Sequence, residues 1–174
     1  MVSGLPASGK STLGRALAGR LGVPLLDKDE ILEGLFDSLG CAGPEDRRRL
    51  SRASDEVLFR LASDARLAVL VSWWHPGAAD RLCAAADHLV EVHCACPVEV
   101  AAGRFAGRRR HPGHLDDLRT PTDHLASLTE ADRLSPGPLG VGELVTVRTD
   151  REVDADDVAA QVRAAATRLG VVVG

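Results

Sequence analysis

The sequence is poor in several residue types, and each shortage narrows the class of protein. It has no tyrosine and no apolar run near the ~20 residues that a membrane-spanning helix needs. No apolar leader precedes the glycine-rich stretch that begins at Gly4, so we expect no signal peptide and a cytoplasmic protein that does not enter membranes. The net charge of −4 argues against a general nucleic-acid binder, because such binding depends on basic side chains, although one basic groove stays possible.

Lysine is almost absent, and the cysteines show no paired spacing. Lys10 and Lys28 are the only lysines among the 21 basic residues, and both lie in the first thirty positions. A guanidinium group cannot freely replace a compact ammonium group. The position of both lysines near the N terminus therefore indicates that a lysine ammonium group is needed there. The four cysteines lack a CxxC pair, so we expect reduced thiols rather than a zinc site.

Apolar runs and amphipathic stretches alternate along the chain. This alternation predicts an α/β fold with a parallel sheet covered by helices on both faces. At 174 residues, we expect a single domain over 1–174, with a mobile Pro/Gly/His-rich stretch at 107–121. The predicted strands are 1–3, 24–27, 67–71, 89–93 and 144–147, and the predicted helices are 10–21, 30–39, 44–66 and those opening near Pro76, Pro97 and Asp154.

The strongest motif lies near the N terminus and matches the pattern G-x-x-x-x-G-K-[ST]. Its glycines let backbone N–H groups turn inward around a phosphate, and the helix that follows directs its positive end to the same place. Lys10 can reach the β- and γ-phosphates, and the Ser11 hydroxyl can bind Mg²⁺, so ATP and Mg²⁺ are the predicted cofactors. The candidate nucleotide-binding residues are Gly4, Leu5, Pro6, Ala7, Ser8, Gly9, Lys10, Ser11 and Thr12.

Two carboxylates follow the second predicted strand. Asp27 and Asp29 fall at the carboxyl end of that strand, on the same sheet edge as the phosphate loop. A carboxylate there can accept a proton from an attacking hydroxyl or hold a Mg²⁺-bound water, but Asp29 could instead simply cap the next helix. We favour a functional role, with Asp29 ahead of Asp27 as the base, and interpret Lys28 as a solvated neighbour.

These two stretches, 2–12 and 24–31, resemble P-loop kinases of the AAA_33 type. That family includes enzymes similar to chloramphenicol phosphotransferase, to gluconate kinase and to the kinase domain of polynucleotide kinases. The resemblance implies a P-loop NTPase fold like that of nucleoside monophosphate kinases, with three layers, a five-stranded parallel sheet ordered 2-3-1-4-5 and an arginine-bearing lid. It also implies that Asp29 acts as base toward a substrate hydroxyl.

A group of arginines follows the helix that opens near Pro97. We expect this lid segment, defined here as residues 103–121, to supply cations to the transferring phosphoryl group. Arg104 and Arg108 are the preferred catalytic candidates because four-residue spacing would place them on one helix face. Arginines at a helix C terminus can also be simply solvated, and we interpret His111 and His114 as structural parts of the lid.

Two tryptophans follow the third predicted strand. Trp73 and Trp74 are candidate substrate contacts, although each could equally be a core residue. Ser72 stands where many P-loop enzymes have an aspartate, which weakens an ATPase-motor interpretation. The stretch 133–141 is expected, by analogy with the family alone, to border the adenine.

The combined prediction is a kinase that phosphorylates a hydroxyl of a small molecule such as an antibiotic, a sugar or a nucleoside-like compound. The predicted catalytic residues are Lys10, Asp29, Arg104 and Arg108. A 5′-hydroxyl polynucleotide kinase is the first alternative, and the acidic balance and scarce aromatics disfavour it. A non-catalytic nucleotide-binding switch is the second, and it would need no base. The acceptor and the oligomeric state are not encoded in a readable pattern.

Overall fold

A five-stranded parallel sheet forms the centre of the molecule, as the α/β pattern predicted. The computed structural model describes residues 1–173. The strands are hydrogen-bonded in the order β2-β3-β1-β4-β5, which is the order that the family resemblance implied. Their bounds are β1 (Val2–Gly4), β2 (Leu25–Asp27), β3 (Val69–Val71), β4 (Val90–Ala95) and β5 (Glu143–Arg148).

Seven helices are described, and one of them was not predicted. The unpredicted helix follows Thr120, whose side chain accepts a hydrogen bond from the Asp123 N–H while Asp123 bonds back to the Thr120 N–H. With Pro121 at the first helical position, this capping box starts the helix firmly. The helices are α1 (Lys10–Leu21), α2 (Lys28–Leu39), α3 (Pro44–Asp64), α4 (Ala79–Ala85), α5 (Val98–Gly107), α6 (Pro121–Leu134) and α7 (Ala155–Arg168).

Apolar side chains cover both faces of the sheet and hold the three layers together. On one face, Leu17 of α1 and Val158 of α7 pack in a cluster with the strand valines. On the other face, Leu58 of α3 and Leu82 of α4 are completely buried. Each fully buried leucine contributes about 1.5–3 kcal/mol relative to an exposed one. Burial on both faces explains why β3, near the middle of the sheet, is a continuous apolar run.

The register of the sheet brings the predicted motifs to one edge. Gly4 at the end of β1 lies beside Cys94 of β4, and Asp27 at the end of β2 lies beside Val71 of β3. Ligands of open parallel sheets bind at this carboxyl edge. Among the described residues, no helix has the length and apolar character required to cross a bilayer.

Candidate active site

The loop between β1 and α1 is shaped to receive an anion. Gly4 has φ 131° and Gly9 has φ 96°, both in the range that favours glycine. A Cβ on Gly4 would lie 2.7 Å from the Cys94 carbonyl oxygen, so the loop passes too close to β4 for any side chain. Among the described residues, no side chain caps α1, which leaves its first N–H groups to a ligand. The geometry fits a bound polyphosphate.

Lys10 is held inside this loop. Its Nζ donates a 2.6 Å hydrogen bond to the Leu5 carbonyl oxygen, and the side chain is buried. Burial lowers the pKa of Lys10 to about 8, although the nearby Cys94, Asp29 and Asp27 oppose this shift. A phosphate would supply the negative charge that the buried ammonium group lacks.

Asp27 and Ser11 lie together beside the loop. Burial raises the pKa of Asp27, while the Ser11 hydroxyl and the Asp29 N–H, both within hydrogen-bonding reach of its carboxyl group, act in the opposite direction. Two hard oxygen donors next to a phosphate site are a typical donor set for Mg²⁺, which binds through one or two protein oxygens plus substrate phosphates. These two residues therefore fit the predicted metal.

Asp29 is placed differently from Asp27. Helix α2 begins at Lys28, and Asp27 is its cap, with Oδ1 accepting a 2.9 Å hydrogen bond from the Asp29 N–H. The Asp29 side chain is therefore not used as a cap. It is 50% exposed, lines the cleft in front of the loop, and has Oδ2 3.9 Å from Nη1 of Arg110.

Lys28 is not the solvated neighbour that we predicted. Its Nζ forms an ion pair with Asp55 of α3 at 2.8 Å, and only 18% of its side chain is exposed. This pair ties the start of α2 to α3. No local sequence pattern indicates this ion pair, because the two residues are 27 positions apart.

One cleft of about 1010 Å³ contains the loop, Asp29 and the arginines. One end of the cleft, next to Gly9 and the end of β5, is lined by Thr12, Ala16, Arg104, Thr149, Arg151 and Val153. The other end is lined by side chains of α2, α3 and the lid segment, with Trp73 at its side. The members of this acceptor end are Asp29, Arg47, Ser51, Phe59, Trp73, Arg108, Arg110 and Arg119.

The two predicted lid arginines do not share a helix face. Helix α5 ends at Gly107, and Arg108 has an extended backbone, because glycine is unfavourable for continuing the helix. Arg104 is exposed, with Nη1 3.8 Å from the Cys96 sulfur. Arg108 lies over the Phe105 ring at 4.2 Å, and its charge adds to the lowering of the pKa of Lys10. Burial lowers the pKa of Arg108 itself, and the Asp29 carboxylate opposes this shift.

The lid segment is docked on α2. The buried His114 lies with Nε2 3.0 Å from Oε1 of Glu33, and His111 makes a similar contact with Asp37. Gly113 sits against the Phe36 ring, where a Cβ would come within 2.4 Å. The segment predicted to be mobile is thus folded onto the helix that carries Asp29, while its movement stays a prediction.

Sequence reasoning did not single out three arginines of this end, Arg47, Arg110 and Arg119. Arg110 forms a bidentate pair with Asp116 through Nε and Nη2, at 2.6 and 2.5 Å. Arg47, in the first turn of α3, lines the cleft near Asp29. Arg110 was within the predicted arginine group, but Arg47 is one of three consecutive arginines on an amphipathic helix, and only helix phase could have separated it from Arg48 and Arg49.

The tryptophans have separate roles in the structure. Trp74 is buried, and its Nε1 donates a 2.8 Å hydrogen bond to the Val2 carbonyl oxygen, so it is a core residue. Trp73 is 43% exposed and lines the cleft. Strand β3 ends at Val71, before both tryptophans, and of the two side chains only that of Trp73 is exposed.

The stretch 133–141 does not border the cleft that contains Lys10. Part of it lines a separate cavity of about 420 Å³ together with Leu5 and Cys94. The buried carboxylate of Glu91 accepts hydrogen bonds from the N–H groups of Leu139, Gly140 and Val141, which fixes the stretch to β4. Gly4 and Leu5 of the phosphate loop also line this cavity, and the expectation that the stretch borders the adenine stays a prediction.

Comparisons with known proteins agree with this architecture. Residues 1–131 match the AAA_33 family model, described as an AAA domain. A protein from Chloroflexus aurantiacus, described as a kinase, is 30% identical with a TM-score of 0.78, over 94% of this chain and 95% of that one. Shikimate kinase from Acinetobacter baumannii, solved with shikimate, has the same fold with a TM-score of 0.61 and 21% identity, over 97% of this chain and 91% of that one.

A curated relative is similar over a shorter stretch. The shikimate kinase of Paracidovorax citrulli is 49% identical over 66 residues, which cover 33% of this chain. The chain therefore spans only 33% of the length of that relative.

Proposed function

Because this chain belongs to the AAA_33 family and is a P-loop kinase by fold and motif, we propose that it transfers the γ-phosphoryl group of ATP to a hydroxyl of a small molecule. Antibiotics, sugars and nucleoside-like compounds are the acceptor classes considered, and the cytoplasm is the proposed location. The observation that carries the proposal is the placement of Asp29, which is half exposed in the cleft that also contains the buried Lys10.

Different residues have different roles in the proposed phosphoryl transfer. In the proposal, Asp29 accepts the proton of the acceptor hydroxyl as its oxygen forms a bond to the γ-phosphorus. The bond between that phosphorus and the β-phosphate oxygen breaks, and ADP leaves with the bonding electrons. Lys10 and Arg108 stabilise the charge on the phosphoryl oxygens during the transfer, because Lys10 lies in the phosphate loop and the charge of Arg108, from the acceptor end, acts on Lys10.

Ser11 and Asp27 are the proposed metal-binding residues. When bound, Mg²⁺ neutralises charge on the β- and γ-phosphate oxygens. The raised pKa of Asp27 reflects a buried carboxyl group with no cation as a direct partner, and this environment would favour a positive ion. Because Asp27 binds the metal in this proposal, Asp29 is available to accept the proton of the acceptor hydroxyl.

The test measures ADP formation with panels of antibiotics, sugars, nucleosides and 5′-hydroxyl oligonucleotides. We expect acceptor-dependent turnover, with Asp29→Asn lowering kcat about 10²–10⁴-fold because general-base catalysis is lost. Glu30→Gln is the matched control, since Glu30 follows directly on α2 but pairs with Arg15 outside the cleft. Its kcat is expected to stay near that of the wild type.

Asp27→Asn separates the two carboxylates. Asparagine caps helices as well as aspartate does, so folding should be kept while the Mg²⁺ concentration for half-maximal activity rises. Turnover that ignores every acceptor and survives Asp29→Asn would contradict a kinase and favour a nucleotide-binding switch. Selective turnover of the oligonucleotides would favour a polynucleotide kinase.

A further inference from the structure

The acceptor end of the cleft contains more cations than its own acids balance. Arg110 is neutralised by Asp116, to which it donates two hydrogen bonds. Asp55, which also lines the cleft, is paired with Lys28. Arg108 has no ion-pair partner within residues 1–173, but the proposed function assigns it to the phosphoryl group. Arg47 and Arg119 also have no ion-pair partner in this range, and the remaining acid is Asp29. Besides Arg108, two further cations, Arg47 and Arg119, therefore face one carboxylate.

Arg47 is the more confined of these two arginines. It is half-buried, and its Nε is inaccessible to solvent without a hydrogen-bond partner among the described residues. Burial lowers the pKa of Arg47, and the neighbouring charge of Arg110 adds to that shift. A confined guanidinium group without a counter-ion is destabilising, since its charge loses water and gains no partner. An anionic ligand would supply the missing partner.

The position of Arg47 is on the acceptor side of Asp29. The charges that act on Lys10 include Asp29 and Arg108, whereas those that act on Arg47 include Asp29, Arg110 and Arg119. Asp29 therefore lies within electrostatic range of both Lys10 and Arg47, and all three line the same cleft. Ser51, one helical turn after Arg47, also lines the cleft and continues this wall of α3.

On the basis of the proposed function, we propose that the acceptor carries an anionic group, a carboxylate or a phosphate, which Arg47 binds while the acceptor hydroxyl meets Asp29. The planar guanidinium group can donate two parallel hydrogen bonds to either anion. Arg119, exposed at the edge of the cleft with Nη2 contacting the Ser127 hydroxyl, adds a second positive charge. Arg47 is then a specificity-determining residue.

The experiment measures binding with the nucleotide site filled. Wild-type protein is saturated with Mg²⁺ and a non-hydrolysable ATP analogue, so that the phosphate loop cannot bind a second anion. Hydroxy acids are then titrated beside their methyl esters, and phosphorylated polyols beside the unphosphorylated polyols. Binding is followed by calorimetry and by the fluorescence of the cleft-lining Trp73. The two series distinguish carboxylate from phosphate recognition.

The expected result is that at least one anionic member of the panel binds about tenfold or more tightly than its neutral counterpart. Arg47→Gln should abolish that preference, while the affinity for the ATP analogue stays within about twofold. Arg48→Gln is the matched control, because Arg48 is the next residue on the same helix, is exposed, and does not line the cleft. It should keep the preference.

Equal binding of acids and neutral counterparts, the absence of binding by every acid, or a preference that survives Arg47→Gln would overturn the inference. These outcomes differ from failure of the proposed function, which is measured separately by acceptor-dependent ADP formation. An enzyme that phosphorylates only neutral acceptors through Asp29 would keep its proposed function and lose this inference.

Discussion

The two ends of the cleft are built in opposite ways. The phosphate-binding end comes from one continuous stretch, Gly4–Thr12, and it works mainly through backbone N–H groups and one lysine. The acceptor end gathers side chains from α2, α3 and the lid segment, which are distant in sequence. We therefore expect the phosphates of ATP to be recognised by the local geometry of one loop. Selectivity for the acceptor is instead expected to depend on contacts between helices that are distant in sequence.

The two ends also differ in how well their charges are satisfied. Lys10 has a direct acceptor in the Leu5 carbonyl oxygen even without a ligand. Arg47 and Arg108 each have a buried Nε without a hydrogen-bond partner in the described chain. The first end is therefore pre-formed, and the second is the end whose charges a ligand must complete.

The largest expected effect is that of a substitution at Gly4, in the phosphate-binding end. Gly4→Ala combines an unfavourable positive φ with a Cβ 2.7 Å from the Cys94 carbonyl oxygen. We expect the free loop to relax from the strained conformation, so that restoring it on binding costs about 3 kcal/mol, which corresponds to roughly 100-fold weaker ATP binding. Calorimetry measures the affinity, and thermal unfolding reports whether the fold is kept. Gly19→Ala is the control, since no described atom lies within 4 Å of its added Cβ, and it should bind ATP normally.

A glycine at the other end should affect docking instead of nucleotide binding. Gly113→Ala would press a Cβ to 2.4 Å from the Phe36 ring, so we expect the lid segment to lose about 1–3 kcal/mol of docking free energy. Hydrogen exchange at 110–118 should become faster, with ATP affinity little changed. Gly107→Ala serves as the control, because its Cβ would meet no described atom within 4 Å. Equal losses of ATP affinity and docking would show that the ends are not independent.

Proton uptake on nucleotide binding tests the protonation of Lys10 in the phosphate-binding end. The pKa of Lys10 is lowered to about 8, so close to half of the free protein has a neutral Lys10 at pH 8. Bound phosphates raise this pKa, so ATP binding should take up about half a proton at pH 8, and affinity should fall as the pH rises further. Calorimetry in buffers of different ionisation enthalpy measures the uptake. Lys10→Met should remove it, and an unchanged uptake would contradict the assignment.

The smallest expected effect is a loss of stability in mild acid. Burial lowers the pKa of His114, Arg110 adds to the shift, and Asp29 and Glu33 oppose it. The unfolded state therefore binds the proton more readily, so the free energy of unfolding should fall by no more than about 1 kcal/mol as the pH drops below about 6.5. Denaturant titrations between pH 7.5 and 5.5 measure this, and His114→Gln should reduce the slope. Stability that rises in acid would indicate a charged His114 paired with Glu33.

Much of the fold could be predicted from the sequence because its signals are local. The phosphate-loop pattern, the apolar runs of β2 to β5 and the capping residue Asp154 all act within a few positions, and the structure has the corresponding elements. Helix α6 had an equally local signal in Thr120 and Asp123. It was missed because Pro121 was interpreted as the end of a loop instead of the first residue of a helix.

The acceptor end could be predicted only in part. The sequence placed Asp29 and the arginine group near the phosphate loop, since both follow strands of one sheet. It could not show that Arg110 pairs with Asp116, that Lys28 pairs with Asp55 or that Arg47 lines the same cleft as Asp29. Such contacts depend on the angle between α2 and α3 and on the path of the chain after α5, and neither has a short-range signature.

Helix α2 sets one further constraint on the molecule. Its first turn carries Asp29, and the residues four, seven and eight positions later, Glu33, Phe36 and Asp37, hold the lid segment. A single residue inserted between Asp29 and Glu33 would rotate the two sets by about 100° relative to each other. Natural variation in the length of this short stretch should therefore be rare, while loops elsewhere on the surface can lengthen without separating the carboxylate from its arginines.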